Sequence, residues 1–155
     1  MSNNRVKSLE STATYYKDTI TALEQLSIED TVNFAEAILK AWRNDNTVYV
    51  LGNGGSAKNA EHFTADLLNT TRELETEFPN KKIPRVKSMS LTDNSARITA
   101  LINDEGWNDV YTEQLKNFWR EGDVLIAFSV HGGKVEEVYG ARSQNILKAA
   151  NFAKE

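Results

Sequence analysis

The chain of 155 residues contains no cysteine. Disulfides and thiolate metal sites are therefore excluded, and nothing marks the protein for an oxidising compartment. Proline is nearly absent, and its two occurrences, Pro79 and Pro84, bracket what reads as a loop. No apolar run approaches the roughly 20 residues that span a bilayer, and the polar start MSNNRVKS lacks the apolar centre of a signal peptide. A cytoplasmic protein without a membrane partner is the expectation. Positive charge is also scarce: the formal net charge is −4, and the longest basic cluster (Lys81, Lys82, Arg85 and Lys87) straddles Pro84 like a solvated loop. Phosphate-backbone binding needs clustered Lys and Arg, so nucleic acid is not an expected partner.

What is present is ordinary for a single folded domain, with 40% hydrophobic and 26% charged residues. The informative stretch runs LGNGGSAKNAEHFTADL. Thr47-Val48-Tyr49-Val50-Leu51 is rich in β-branched and aromatic residues, the pattern of a strand buried on both faces in a parallel sheet. Asn53, Gly54, Gly55 and Ser56 then form a turn into a helix. Such a turn leaves backbone N–H groups uncovered at the positive end of the helix, where a phosphate or carboxylate is favoured. A plain connecting turn is the alternative. The loop lacks the Gly-Lys-Ser/Thr ending of a Walker loop and the glycine spacing of a dinucleotide fingerprint, so no nucleotide cofactor is expected.

Alternation of helices and strands follows along the chain. Tyr16, Ile20, Leu23 and Leu26 recur at helical spacing, and Ser27 is placed to cap a second helix with Ala35, Ile38, Leu39 and Trp42 on one stripe. After the glycine turn, a helix buries Ala60, Phe63, Thr64 and Leu67 and runs out in the charged stretch from Arg72 to Glu77. Val86 to Leu91 reads as a second strand, Thr92 to Ser95 as a cap, and Ile98, Leu101 and Ile102 as the apolar side of the next helix. A further helix points Val110, Tyr111, Leu115 and Phe118 inward. Asp123 to Ser129 is a third strand, and a last helix from near Ser143 uses Ile146, Leu147, Ala150 and Ala153. The sum is an α/β fold with a parallel sheet preceded by two helices, whose ligand lies beyond the carboxyl ends of the strands.

His62 and Asp66 stand four apart and share one face of the helix after the glycine turn. At that spacing two side chains can hold one metal ion, pass a proton, or simply form a surface hydrogen bond.

The ordered set of GNGGS, the helix with His62-Phe63 and an acid, the strand end Ser90-Leu91-Thr92-Asp93, Asn103-Asp104 with Gly106, and Gly122 to Ile126 leading to Ser129 resembles the sugar isomerase (SIS) family. Within that family it looks most like the phosphoheptose isomerases, over nearly the whole chain. The resemblance implies a parallel-sheet SIS domain, a flavodoxin-like or Rossmann-like sandwich over residues 1–155. It also implies a homotetramer with intersubunit sites, in which the helices of residues 1–45 serve oligomerisation. The implied activity is an aldose–ketose isomerisation of sedoheptulose 7-phosphate to D-glycero-D-manno-heptose 7-phosphate, feeding lipopolysaccharide or other surface glycans. By the same resemblance His62 and Asp66 are catalytic and metal-binding, with zinc as the expected ion, while Asn53, Gly54, Gly55, Ser56, Asp104, Ser129, His131 and Ser143 contact the sugar phosphate.

The chain departs from the family pattern at three points. The family acid is normally Glu, so Asp66 is one methylene shorter. The Ser/Thr loop after the third strand is interrupted behind Ser129-Val130-His131-Gly132-Gly133 by an insertion carrying Lys134, Glu136, Glu137, Tyr139 and Arg142, expected to form a lid or to reach a neighbouring subunit. Phosphoheptose isomerases also continue beyond the equivalent of Glu155 with two strands and a helix bearing a Gln and a catalytic His, so the chain is expected to be an incomplete form of a longer protein. A second class of function therefore stays open, a non-catalytic SIS module that senses a sugar phosphate or recruits a protein.

Overall fold

The computed structural model describes residues 3–130, 132, 135–136 and 140–155. Two compact units divide at Ala37, residues 1–37 and 38–155.

The first unit contains α1 (Asn3–Glu24) and the start of α2 (Ile28–Arg43). Ser27 caps α2, its Oγ accepting from the Asp30 N–H at 3.0 Å, as the sequence predicts. Along α1 the hydroxyls of Ser8, Thr12, Thr14 and Thr19 donate to carbonyls four residues earlier, which satisfies them within the helix. Leu9, Tyr16, Ile20 and Leu23 remain exposed.

The second unit holds a three-stranded parallel sheet in the order β2-β1-β3, where β1 is Thr47–Gly52, β2 is Lys87–Ser90 and β3 is Val124–Phe128. Register runs Val48 to Ser88 on one side and Val48 to Val124 on the other. Because side chains alternate along a strand, β1 feeds two cores. Tyr49 and Leu51 join Leu91, Val110, Tyr111, Leu115, Ile146 and Ala149 on one face, while Val48 and Val50 join Ala41, Ala60 and Ile126 on the other. The continuous apolar run in β1 is thus the signature of a central strand covered on both sides.

Helix α3 (Gly55–Glu77) follows β1, α4 (Ser95–Asp104) follows β2, and a short 3-10 turn (Trp107–Asp109) leads into α5 (Thr112–Phe118). The predicted cap before α4 is present: Asn94 accepts from the Arg97 N–H at 3.0 Å. After β3, the strand pair β4 (Val135–Glu136) and β5 (Gly140–Ala141) is antiparallel, and α6 (Gln144–Phe152) follows. Two inward assignments need correction. Phe118 is 41% exposed and lies under the Arg97 guanidinium, with 5.4 Å from its central carbon to the ring centre. Leu147 is also exposed, and α6 buries Asn145, Ile146 and Ala149 instead. Among the described residues no helix is long and apolar enough to cross a membrane.

Candidate functional site at the carboxyl ends of β1 and β3

The loop leaving β1 turns at Gly54, whose φ of 55° and ψ of −122° suit a residue without a side chain. Ser56 N–H returns to the Asn53 carbonyl at 3.0 Å, and Ala57 N–H to Gly54 at 3.1 Å, which starts α3. Gly52 is required for a different reason, close approach: a Cβ there meets the Ser56 carbonyl carbon and oxygen at 2.6 Å. The turn is therefore packed directly against the first turn of α3.

A cavity of about 220 Å³ opens beside this turn, lined by Asn53, Ser56, Phe128, Ser129, Val130, Ser143 and Ile146. Four predicted contact residues, Asn53, Ser56, Ser129 and Ser143, meet there. Ser129 Oγ accepts from the Gly132 N–H at 2.9 Å, a tight turn just after β3. Ser143 adopts the left-handed conformation, with φ 55° and ψ 32°, and caps α6. Its carbonyl accepts from the N–H groups of Ile146 and Leu147 at 3.1 and 3.2 Å. Among the described residues the lining carries hydroxyls and a carboxamide with no charged side chain, a surface that hydrogen-bonds an anion or a polyol.

The remaining predicted residues stand elsewhere. Gly54 and Gly55 are exposed in the same turn, and Asp104 is exposed at the end of α4, accepting from Asn103 Nδ2 at 2.7 Å. His131 lies outside the described residues. On α3, His62 Nε2 and Asp66 Oδ1 are 3.7 Å apart, with side chains 81% and 69% exposed, and neither lines the cavity. Two ligands at that separation can share one ion, but a zinc site takes four. Among the described residues no cluster of three or more His, Asp or Glu side chains completes it. The pair fits half of a metal site.

The SIS domain pattern matches residues 13–155. The chain belongs to the SIS domain family. A phosphoheptose isomerase of Neisseria meningitidis serogroup C is 32% identical over 149 residues, covering 94% of this chain and 67% of that protein. The lincomycin biosynthesis protein LmbN of Streptomyces lincolnensis is 37% identical over 121 residues, 78% of this chain and 40% of that one. Among solved structures, phosphoheptose isomerase GmhA from Neisseria gonorrhoeae superposes with a TM-score of 0.74 at 29% identity, over 94% of this chain and 68% of that one. A phosphoheptose isomerase from Francisella tularensis gives 0.76 at 29% identity, over 95% and 70%. The parallel-sheet SIS fold expected from the sequence is the one observed.

Two site residues in this SIS domain escape a reading of the sequence. Tyr111 and Asn145 are 3% and 0% exposed, and both bond to the glycine turn. Burial pushes the Tyr111 phenol up to about 12, so it is a permanent donor at neutral pH. Their signal was faint: Tyr111 reads as a core aromatic, and Asn145 lies outside the inward stripe predicted for α6.

Proposed function

We propose that this chain works as a phosphoheptose isomerase, interconverting sedoheptulose 7-phosphate and D-glycero-D-manno-heptose 7-phosphate. Kinship with named isomerases makes an enzyme of the chain, and the substrate is the step beyond it. The observation that carries the reading is the convergence of Asn53, Ser56, Ser129 and Ser143 on one cavity at the carboxyl ends of β1 and β3.

The chemistry divides between anchoring and proton transfer. Hydroxyls and the amide hold the phosphate end and fix register, which turns an intermolecular encounter into an oriented one. The isomerisation then needs a base to take a proton from C1 of the ketose while the C2 carbonyl oxygen gains one. The resulting enediol receives a proton at C2 and loses one from the C1 oxygen, so the product is an isomer and no co-reactant is consumed. Asp66 is the base in this scheme. His62 either exchanges the oxygen-bound proton or, with Asp66, holds a zinc ion whose Lewis acidity would polarise the carbonyl. Further zinc ligands would come from another segment or another copy, and a homotetramer built through the helices of residues 1–45 is part of the proposal. The exposed Leu9, Tyr16, Ile20 and Leu23 support that assembly. Heptose supply for surface glycans is the corresponding cellular role, in the cytoplasm.

Incubating the purified protein with sedoheptulose 7-phosphate, with and without zinc, and following the anomeric signals by NMR tests the reading; appearance of the aldose is expected. Binding without turnover under both conditions would instead establish a sugar-phosphate sensor or a partner-recruiting module, the second reading. The exposure of His62 and Asp66 away from the cavity lining is the observation that favours that alternative.

A further inference from the structure

The side chains of Asn53 and Asn145, 92 positions apart, form a reciprocal amide pair. Asn53 Nδ2 donates to Asn145 Oδ1 and Asn145 Nδ2 donates to Asn53 Oδ1, both at 2.9 Å. Such a pair is equally satisfied if both amides are turned over, so something else must choose between the two arrangements. The backbone N–H of Ile146 makes the choice: it can only donate, and the atom it meets at 2.9 Å is Asn145 Oδ1. Asn145 is completely buried, so turning it would set an amide N–H against that N–H with no water to compensate. The orientation of Asn145 then dictates that of Asn53.

Tyr111 closes the arrangement. Its hydroxyl lies 2.5 Å from the Gly52 carbonyl oxygen and 3.1 Å from Asn53 Oδ1, and shares its one proton between them. With Asn145 Nδ2 and Tyr111 both on Asn53 Oδ1, the two lone pairs of that oxygen are used. Of the two Asn53 N–H groups, the one on the same side as its own carbonyl serves the pair. The other points away from it, and among the described residues no acceptor meets it.

We infer that Asn145 is a positioning residue that fixes the polarity of the Asn53 amide, with Tyr111 bonded to its oxygen, so that Asn53 meets the ligand in the cavity as a donor through one N–H. The inference rests on the sugar-phosphate reading of the cavity. It narrows that reading to an acceptor on the ligand at this point, a phosphate oxygen or a sugar oxygen, and rejects a ligand hydroxyl acting as donor. It also explains a fully buried asparagine in the first turn of α6, where a leucine would fill the same space: Asn145 transmits the direction of the Ile146 N–H to the loop on the other side of the cavity.

The test is a titration of the 15N-labelled full chain, with the two Asn53 side-chain N–H signals assigned by their loss in Asn53→Ser. Sedoheptulose 7-phosphate is expected to move the N–H that points away from the pair and to leave its companion in place. A matching shift with inorganic phosphate assigns the acceptor to the phosphate; a shift with the sugar phosphate alone assigns it to a sugar oxygen. Asn145→Leu frees the amide, so both N–H signals should respond, with Kd raised about tenfold, the loss of one well-placed hydrogen bond. Tyr111→Phe leaves the pair in place, and the same single N–H should still respond. Lys148→Ala, on the outer side of α6, should stay within twofold. Shifts at Ser129 and Ser143 with both Asn53 protons unmoved, or moving equally, would overturn the inference and leave the sugar-phosphate reading standing. Absence of any response to either ligand would overturn both. The measurement on the unsubstituted chain decides the matter even if a variant fails to fold.

Discussion

Replacing the turn glycines one at a time with alanine separates three physical roles within four residues. At Gly52 the added Cβ falls 2.6 Å from both the carbonyl carbon and oxygen of Ser56, and 2.9 Å from its Cβ. Two of these atoms are backbone and cannot rotate away, so restoring a contact of 3.4 Å needs a shift of about 0.8 Å (3.4 minus 2.6) at the start of α3. Overpacking of this kind costs about 1–3 kcal/mol, and a displacement near 1 Å in substrate-positioning groups costs on the order of 100-fold in rate. Gly54→Ala meets nothing within 4 Å but must hold φ at 55° and ψ at −122°, a strain of roughly 1–3 kcal/mol with the loop otherwise intact. Gly55 has open space and no left-handed φ, so alanine there restricts the unfolded chain and stabilises by about 0.4–1 kcal/mol. Urea unfolding followed by circular dichroism gives the three stabilities, and ligand titration gives the three affinities. Gly52→Ala should lose both, Gly54→Ala mainly stability, and Gly55→Ala neither. If Gly55→Ala is as damaging as Gly52→Ala, the packing of this turn against α3 is not what the distances say.

Other perturbations address separate parts of the molecule. His62→Ala should abolish stoichiometric zinc uptake measured by elemental analysis, and unchanged uptake would remove that imidazole from the ligand set. Asp123 accepts from the Thr47 and Arg120 N–H groups at 2.8 Å and from Asn46 Nδ2 at 3.3 Å. Asp123→Ala should therefore destabilise by about 1–3 kcal/mol in urea while ligand affinity is retained, because the carboxylate ties the amino ends of the strands. Tyr111, raised to about 12 by burial, gives an alkaline signature. Below about pH 10 the phenol is protonated in both states; between 10 and 12 the unfolded chain releases the proton and the folded one keeps it. Stability then falls with rising pH by roughly 2–3 kcal/mol. Tyr49, also raised by burial and next by Asp123, leaves a residual slope in Tyr111→Phe. An unchanged slope in that variant would show that Tyr111 is not the buried phenol responsible.

The parallel sheet and the helices that alternate with its strands were legible because each local rule agreed with the fold. The apolar run of β1, the hydroxyl of Ser27 and the carboxamide of Asn94 all act where their chemistry predicts. Helix α6 was less legible. Ile146, Leu147, Ala149 and Ala150 offer two overlapping apolar stripes in nine residues, and the tie is broken by the buried Asn145, whose partner lies 92 positions away. Phe118 was misplaced for a related reason: an aromatic at the end of α5 fits the core by spacing, but here its ring face takes the Arg97 cation. Periodicity identifies a stripe; it does not register a polar contact between two distant loops.

In the proposed function, anchoring and proton transfer are built to different standards of enclosure. The cavity is lined by groups held in place: Asn53 by Asn145 and Tyr111, Ser129 by Gly132, and Ser143 by the first turn of α6. Asp66 and His62 instead stand 69% and 81% exposed on α3, where water reaches them as freely as a substrate does. Abstraction of a proton from carbon gains from a site closed to water, and an open pair leaves that gain unrealised until another surface covers it. If copies of the chain associate through the apolar side chains of α1, their concentration governs that cover. Turnover per chain should then rise with protein concentration through the association range, while the Kd of the cavity for sedoheptulose 7-phosphate stays constant if the described lining residues, all from one chain, suffice to bind it. Sedimentation and NMR assays over the same dilution series measure both. Turnover independent of concentration across a demonstrated dissociation would show that a single chain encloses its own base.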